Sequence, residues 1–350
     1  MNNEYISRPL WSPSSERKKD LFWLDKNEIT IEESLLFNDY LISQIKSLDL
    51  SIYPELGNSY KQLEFIFNIK EENTLLVNGA DGGIRAMFLG LPEKFEVITL
   101  DPTFAMINIY PKNLSKKLTS IQYEYYNSST KININKIIKT IAESKDFPFV
   151  IIATPDSPTG AILSKDEIKK IIDSVERRNG IFLIDATYAL FNGLDYLLEI
   201  IELIKKSKSC VLTSSFSKFP GLAGARLGFL TGSQLIINQI RNMRPMYEIG
   251  ALQSRILESV LLEWSSCLNI IEKIRGNKKE LEQILNRYSP EILTTYGNFT
   301  LFRSNKILDS SLETLCYYRK SFSCNCLKDF SRLSTPPKEF LNKLKLILKS

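Results

Sequence analysis

The 350-residue sequence contains no histidine. That absence excludes Ser-His-Asp and Cys-His hydrolases, His-ligated zinc sites and any histidine general base. Chemistry must therefore run on Lys, Tyr, Asp, Glu, Arg or a bound cofactor, and no metal site is expected. No apolar run reaches the ~18 residues a membrane span needs, and Met1-Asn2-Asn3-Glu4 lacks a basic and apolar leader. A cytoplasmic protein is expected. Cysteine is scarce and odd in number: Cys210 and Cys267 stand alone, and Cys316, Cys324 and Cys326 form a loose group. Free thiols are expected rather than a disulfide framework. Charge of one sign is never concentrated, since 45 basic and 40 acidic residues are spread along the chain to give a net +5. No nucleic-acid surface is expected, and the cations suit a small anionic ligand.

What is present fits a folded α/β protein. With 43% apolar and 24% charged residues, the chain can bury the core of one large or two medium domains. Short unbroken apolar runs at 75–77, 96–100, 149–153, 181–184 and 210–213 read as strands covered on both faces. Helical patterns separate them. Ser164-Lys165-Asp166-Glu167 is a capping box, followed by Ile168, Ile171, Ile172 and Val175 on one helical face and closed by Asn179-Gly180. The alternation predicts a large domain over 46–240, with a mostly parallel sheet sandwiched by helices. After Arg241 the pattern changes to a long helical tract over 251–288, strands near Leu293 and Phe299–Leu301, and a last helix from Lys338. This predicts a small α+β domain formed by 241–350 and joined by an N-terminal arm, 1–45.

Four segments could carry chemistry. In Ser214-Ser215-Phe216-Ser217-Lys218-Phe219-Pro220-Gly221, a lysine follows a buried strand among hydroxyls, placed to form a Schiff base with a carbonyl cofactor. Arg226, eight residues on, could pair with a phosphate beside it. A solvated loop lysine is the alternative for this segment taken alone. Asp185, at the carboxyl end of the strand Ile181–Ile184, could hold a pyridinium proton, and Tyr188 could bond a ring hydroxyl. The alternative is an Asp that caps the next helix. Ala153-Thr154-Pro155-Asp156-Ser157-Pro158-Thr159-Gly160 makes a rigid turn. Asn78-Gly79-Ala80-Asp81-Gly82-Gly83 offers bare amides at a helix start to an anion.

Together, in this order, the segments resemble the fold-type I pyridoxal-phosphate enzymes, and most closely the histidinol-phosphate aminotransferase-like family. Further likenesses lie in Leu24-Asp25-Lys26-Asn27-Glu28, Tyr53-Pro54, Asp101-Pro102-Thr103-Phe104, Gly297-Asn298-Phe299 and Ser331-Arg332-Leu333-Ser334. The resemblance implies pyridoxal 5'-phosphate as cofactor and a homodimer with shared sites. It implies that Lys218 binds the cofactor covalently and moves the proton, that Asp185 keeps the ring nitrogen protonated, that Tyr188 bonds the phenolic oxygen and that Phe104 stacks on the ring. Ala80, Asp81, Ser215, Ser217 and Arg226 would hold the phosphate, joined by Tyr53 from the second subunit. Asn27 and Arg332 would meet the substrate, with Arg319 as a second cation.

One position departs from the pattern. Where the family has Asn before the proline of its Asn-Pro-Thr-Gly turn, bonding the phenolic oxygen, this chain has Ser157. The shorter side chain leaves Tyr188 as the main partner of that oxygen. The implied function is amino transfer from a donor, expected to be glutamate, to a small keto or aldehyde acceptor that could be phosphorylated. The alternative on the same machinery is decarboxylation or other lyase chemistry on a phosphorylated amino acid.

Overall fold

The computed structural model describes residues 17–322 and 324–349; the N-terminal residues Met1–Glu4 lie outside them. Seven strands make the main sheet: β1 Thr74–Val77, β2 Phe95–Asp101, β3 Lys117–Gln122, β4 Phe147–Ala153, β5 Ile181–Asp185, β6 Cys210–Ser215 and β7 Gly228–Gly232. Their order is β1-β7-β6-β5-β4-β2-β3. The pairs β6-β5, β5-β4, β4-β2 and β2-β3 are parallel, and β7 runs antiparallel to both β1 and β6.

The unbroken apolar runs are explained by which layer each residue enters. Successive side chains of a strand point to opposite faces. Leu183 of β5 accordingly joins Phe149, Ile151 and Val211 beneath the helices Gly79–Gly90 and Gln234–Arg241. Its neighbours Phe182 and Ile184 join Val150, Ile152 and Leu212 beneath the helices Lys165–Glu176 and Leu194–Lys205. Each fully buried side chain of this kind contributes about 1.5–3 kcal/mol, and polar alternation would forfeit one of the two layers. The helix Lys165–Glu176 starts as expected: the Ser164 hydroxyl accepts from the Glu167 amide, and the Glu167 carboxylate accepts from the Ser164 amide at 2.8 Å.

A second, antiparallel sheet is formed by β8 Ile292–Leu293, β9 Phe299–Arg303 and β10 Phe330–Ser334. The helices Lys306–Glu313 and Lys338–Ile347 cover it through Leu308, Leu312, Phe340 and Leu344. The N-terminal segment is built into this body. Phe22–Trp23 pairs in parallel with Cys316–Tyr317, and Leu24 lies in the same apolar cluster.

The helical tract expected over 251–288 consists of two helices, Ala251–Leu262 and Trp264–Leu285, broken at Glu263, whose ψ of 34° leaves the helical region. The first of them packs Leu257 and Val260 into the cluster that holds Phe219 and Phe229. Strand β3 went unrecognised because it is an edge strand with mostly exposed or half-buried side chains. Strand β7 did so because glycine stands at both its ends.

Gly228 has a steric reason. A Cβ there would lie 2.5 Å from the Ser214 carbonyl oxygen and 2.8 Å from the Gly79 carbonyl carbon, both rigid backbone atoms. Gly228→Ala is therefore expected to cost about 1–3 kcal/mol or more through overpacking. The check is the thermal unfolding midpoint, which should fall; an unchanged midpoint would mean that β7 can shift away from β6.

Candidate active site

A cleft of about 750 Å³ opens where β2, β4, β5 and β6 end, and Arg319, Phe322 and Arg332 close its far wall. Ligands in open α/β sheets collect outside such carboxyl ends. Because β7 is antiparallel, the residues entering it lie at that same end, and this is how Arg226 reaches the cleft.

One corner of the cleft is an anion pocket. The helix Gly79–Gly90 begins there with no side-chain cap from Asn78, so the amides of Ala80 and Asp81 are left for an incoming acceptor. Arg226 stands against this turn, where a Cβ on Gly79 would come within 2.9 Å of its Nη2. Gly79 has a φ of +68°, so glycine is required both for the turn and for the close approach. Arg226 Nη1 donates to the Ser217 hydroxyl at 3.3 Å, and the Ser217 amide donates to the Ser215 hydroxyl at 3.0 Å. Arg226 makes no ion pair among the described residues.

Asp185, the last residue of β5, is buried. Its Oδ1 accepts from the Thr187 amide at 3.0 Å and the Thr187 hydroxyl at 2.5 Å, so a local turn role coexists with its place in the cleft. Burial raises its pKa, the two Thr187 bonds oppose this, and the nearby Asp81 carboxylate raises it further. No cation pairs with Asp185 among the described residues, so a buried carboxyl is left facing the cleft without a counter-charge.

Lys218 follows β6. Its Nζ donates to the Lys26 carbonyl at 2.7 Å. Burial pushes its pKa down to about 8, Arg332 and Arg226 reinforce the shift, and Glu28 opposes it. A lysine so shifted is a substantially better nucleophile and base near neutral pH than a solvated one.

The opposite wall is a bonded group of four side chains. Asn27 Nδ2 donates to the Tyr188 hydroxyl at 2.9 Å and to the Ser157 hydroxyl at 3.3 Å. Arg332 Nη1 donates to the same Ser157 hydroxyl at 3.0 Å, and its Nη2 to the Asp25 carbonyl at 2.8 Å. Asn27 thus faces Tyr188 and Ser157 as well as the cleft. Burial raises the Tyr188 pKa, opposed by Arg332. Arg332 is only 7% exposed, and its Nε has no hydrogen-bond partner among the described residues. Burial lowers its pKa to about 10, so it stays cationic at neutral pH. Across a two-residue backbone bridge stands Arg319, its guanidinium 4.5 Å above the Phe322 ring. Neither arginine makes an ion pair among the described residues, while Arg17 holds Asp25 and Glu28 nearby.

Most of the candidate residues thus converge. Phe104 lines the cleft at the start of the helix Ala105–Asn113 and is 39% exposed. Tyr53 does not line it. It stacks on Tyr247 with ring centres 3.8 Å apart, on a different, exposed groove. Sequence reasoning missed Lys26, whose backbone holds Lys218, since a carbonyl leaves no trace in residue type. It also gave no role to Asp156. That side chain is fully buried, accepts from the hydroxyls of Thr103 and Thr159, and has its pKa raised by burial to about 6. It ties the segment before Phe104 to the turn that carries Ser157.

The model of the family described as aminotransferase class I and II matches residues 46–314. The chain belongs to this family. Its similarity to the histidinol-phosphate aminotransferase of Clostridium novyi (strain NT) is 28% identity over 322 residues, covering 90% of this chain and 87% of that protein. The solved histidinol-phosphate aminotransferase of Clostridium acetobutylicum superposes with a TM-score of 0.78 at 21% identity, over 94% of this chain and 98% of that one. The corresponding enzyme of Sinorhizobium meliloti, solved in complex with pyridoxal-5'-phosphate, gives 0.80 at 16% identity, over 94% and 91%. The fold is therefore fold-type I, and the protein is a pyridoxal-phosphate-dependent aminotransferase. The cleft suits that cofactor. It presents uncapped amides and a cation to a phosphate, an unpaired buried carboxyl to a pyridinium nitrogen and a lysine of lowered pKa to a carbonyl. No helix among the described residues is long and apolar enough to cross a membrane.

Proposed function

We propose that this aminotransferase exchanges an amino group between glutamate and a small substrate bearing a distal anion, a phosphorylated amino alcohol such as histidinol phosphate. Arg332 carries the proposal. A buried guanidinium with an unpartnered Nε and no carboxylate partner is costly to keep, and an anionic substrate offsets that cost. Arg319 beside it supplies a second cation. The named activity of the relatives supports the same substrate class.

When bound, the cofactor supplies a carbonyl to receive amines and a ring to accept electrons. The chain's own part then divides by position. Ala80, Asp81, Ser215, Ser217 and Arg226 would hold its phosphate. Asp185 would keep a proton on the ring nitrogen by charge-assisted hydrogen bonding, Tyr188 would hold the phenolic oxygen and Phe104 would lie against the ring. Lys218 Nζ takes a proton and returns it, which a pKa near 8 allows in both directions. Arg332, anchored through Ser157 and the Asp25 carbonyl, orients the substrate.

The test is turnover of histidinol phosphate with 2-oxoglutarate, followed by Arg332→Lys and Arg319→Lys. Lysine keeps the charge and loses the planar fork. A charged hydrogen bond is worth about 1.5–3 kcal/mol, so kcat/KM should fall on the order of 10- to 100-fold for Arg332→Lys. The Arg319 variant should lose more with histidinol phosphate than with histidinol. Release of CO2 from a phosphorylated amino acid, without amino transfer, would overturn the proposal. We further propose a homodimer formed over the exposed apolar surface that includes Leu50, Ile52, Tyr53, Met246 and Tyr247, with Tyr53 reaching the phosphate pocket of the second copy. Sedimentation as a monomer at micromolar concentration would refute it.

A further inference from the structure

Two of the five thiols stand apart from the others. Cys210, Cys267 and Cys316 are buried in apolar clusters, and burial raises the pKa of each. Cys324 and Cys326 are half-buried, with Sγ atoms 3.9 Å apart, and Cys324 lines the cleft beside Arg319 and Phe322. The short helical turn Asn325–Leu327 holds the pair together. A disulfide needs Sγ atoms at ~2.05 Å, so closing the bond requires a shift of under ~2 Å.

We propose that Cys324 and Cys326 form an oxidation site at the mouth of the active-site cleft, with Cys324 attacking a hydroperoxide and Cys326 resolving the product. In the first step the Cys324 thiolate displaces an alkoxide or hydroxide from the peroxide, forming an S–O bond as the O–O bond breaks. The sulfur is oxidised to sulfenic acid and the peroxide is reduced to an alcohol or water. In the second step the Cys326 sulfur attacks Sγ of Cys324. The S–S bond forms, the S–O bond breaks, and hydroxide leaves to take up the Cys326 proton as water.

The division of labour follows from the surroundings. The Cys326 thiol donates to Cys324, which lowers the Cys324 pKa to about 7, while the same bond and burial raise that of Cys326. The lowered pKa leaves more of Cys324 than of an ordinary cysteine as thiolate at neutral pH, the form that attacks peroxides. The charged groups around the pair are Arg319 on the neighbouring strand segment and Asp101 across the cleft; the first favours the thiolate and the second opposes it. Because Arg319 and Phe322 sit on the same segment, the disulfide would form within the wall that carries the second cation.

The experiment treats the holoenzyme with hydrogen peroxide at neutral pH and maps its peptides by mass. The expected result is loss of two hydrogens from the peptide bearing Cys324 and Cys326, reversed by dithiothreitol, with the three buried cysteines unchanged. In Cys326→Ser the sulfenic acid on Cys324 should persist and be captured by a 1,3-dione; in Cys324→Ser both products should vanish. With limiting peroxide, Cys324 should react on the order of tenfold or more faster than the buried thiols. Oxidation of all five cysteines at similar rates, or a 1,3-dione adduct on Cys326 in the unaltered protein, would overturn the assignment.

Discussion

Lys218→Ala is expected to abolish turnover while leaving the fold and much of the cofactor affinity in place. The proposed anion pocket of Ala80, Asp81, Ser217 and Arg226 does not depend on the lysine, since among the described residues the Lys218 Nζ donates to the Lys26 carbonyl and to none of these four. Loss of a positioned proton carrier costs about 10²–10⁴-fold, and loss of the covalent attachment adds to it. The measurement is the rate of a single half-reaction with glutamate, alongside equilibrium binding of the cofactor. The pKa near 8 gives an independent check. In the cofactor-free protein, labelling of Lys218 by an amine-directed acylating reagent should climb with pH and reach half its limiting rate near pH 8. Solvated lysines continue to gain up to their ordinary range, near ~10.4. Half-reaction rates in Lys218→Ala within tenfold of the unaltered enzyme would remove this lysine from the chemistry.

Asp185→Asn has the second largest expected effect. Its carboxyl is buried with a raised pKa and lacks a counter-cation among the described residues, so a pyridinium placed against it supplies the missing charge. The charge-assisted bond is worth about 1.5–3 kcal/mol, which is on the order of 10- to 100-fold in the rate of proton removal. Asparagine keeps the shape and can still bond Thr187, so the fold should survive. Cofactor retention should weaken together with the half-reaction rate. A variant with full activity would show that the ring nitrogen needs no anionic partner here.

The strands β1, β2, β4, β5 and β6 could be read from the sequence because helices cover both their faces, which writes an unbroken apolar run into each. Edge strand β3 and glycine-bounded β7 carry no such mark, and β7 alone reverses direction. The candidate site was legible for a related reason. Asp185 ends its strand and Ser157 and Lys218 follow theirs, and there a polar residue at the close of an apolar run stands out; Phe104 was legible only as part of the Asp101-Pro102-Thr103-Phe104 motif. One backbone contribution could not be read this way: the Lys26 carbonyl that receives Lys218 is independent of side-chain type, whereas the glycine-rich turn at 78–83 marked the free helix amides. Asn27 was legible as a motif residue, but its bonds to Tyr188 and Ser157 span 161 and 130 residues and exist only once both bodies are folded.

The reversed strand β7 also governs when the pocket can come into existence. Because Arg226 enters the sheet beside the turn at Gly79, the proposed anion pocket joins chain segments nearly 150 residues apart, and Arg332 arrives another 106 residues later. A nascent chain leaving the ribosome can complete its parallel strands before the proposed phosphate pocket gains its arginine. Pairings of such long sequence separation are slow to form. The proposed phosphate pocket is therefore complete only after β7 has been synthesised and paired with β1 and β6.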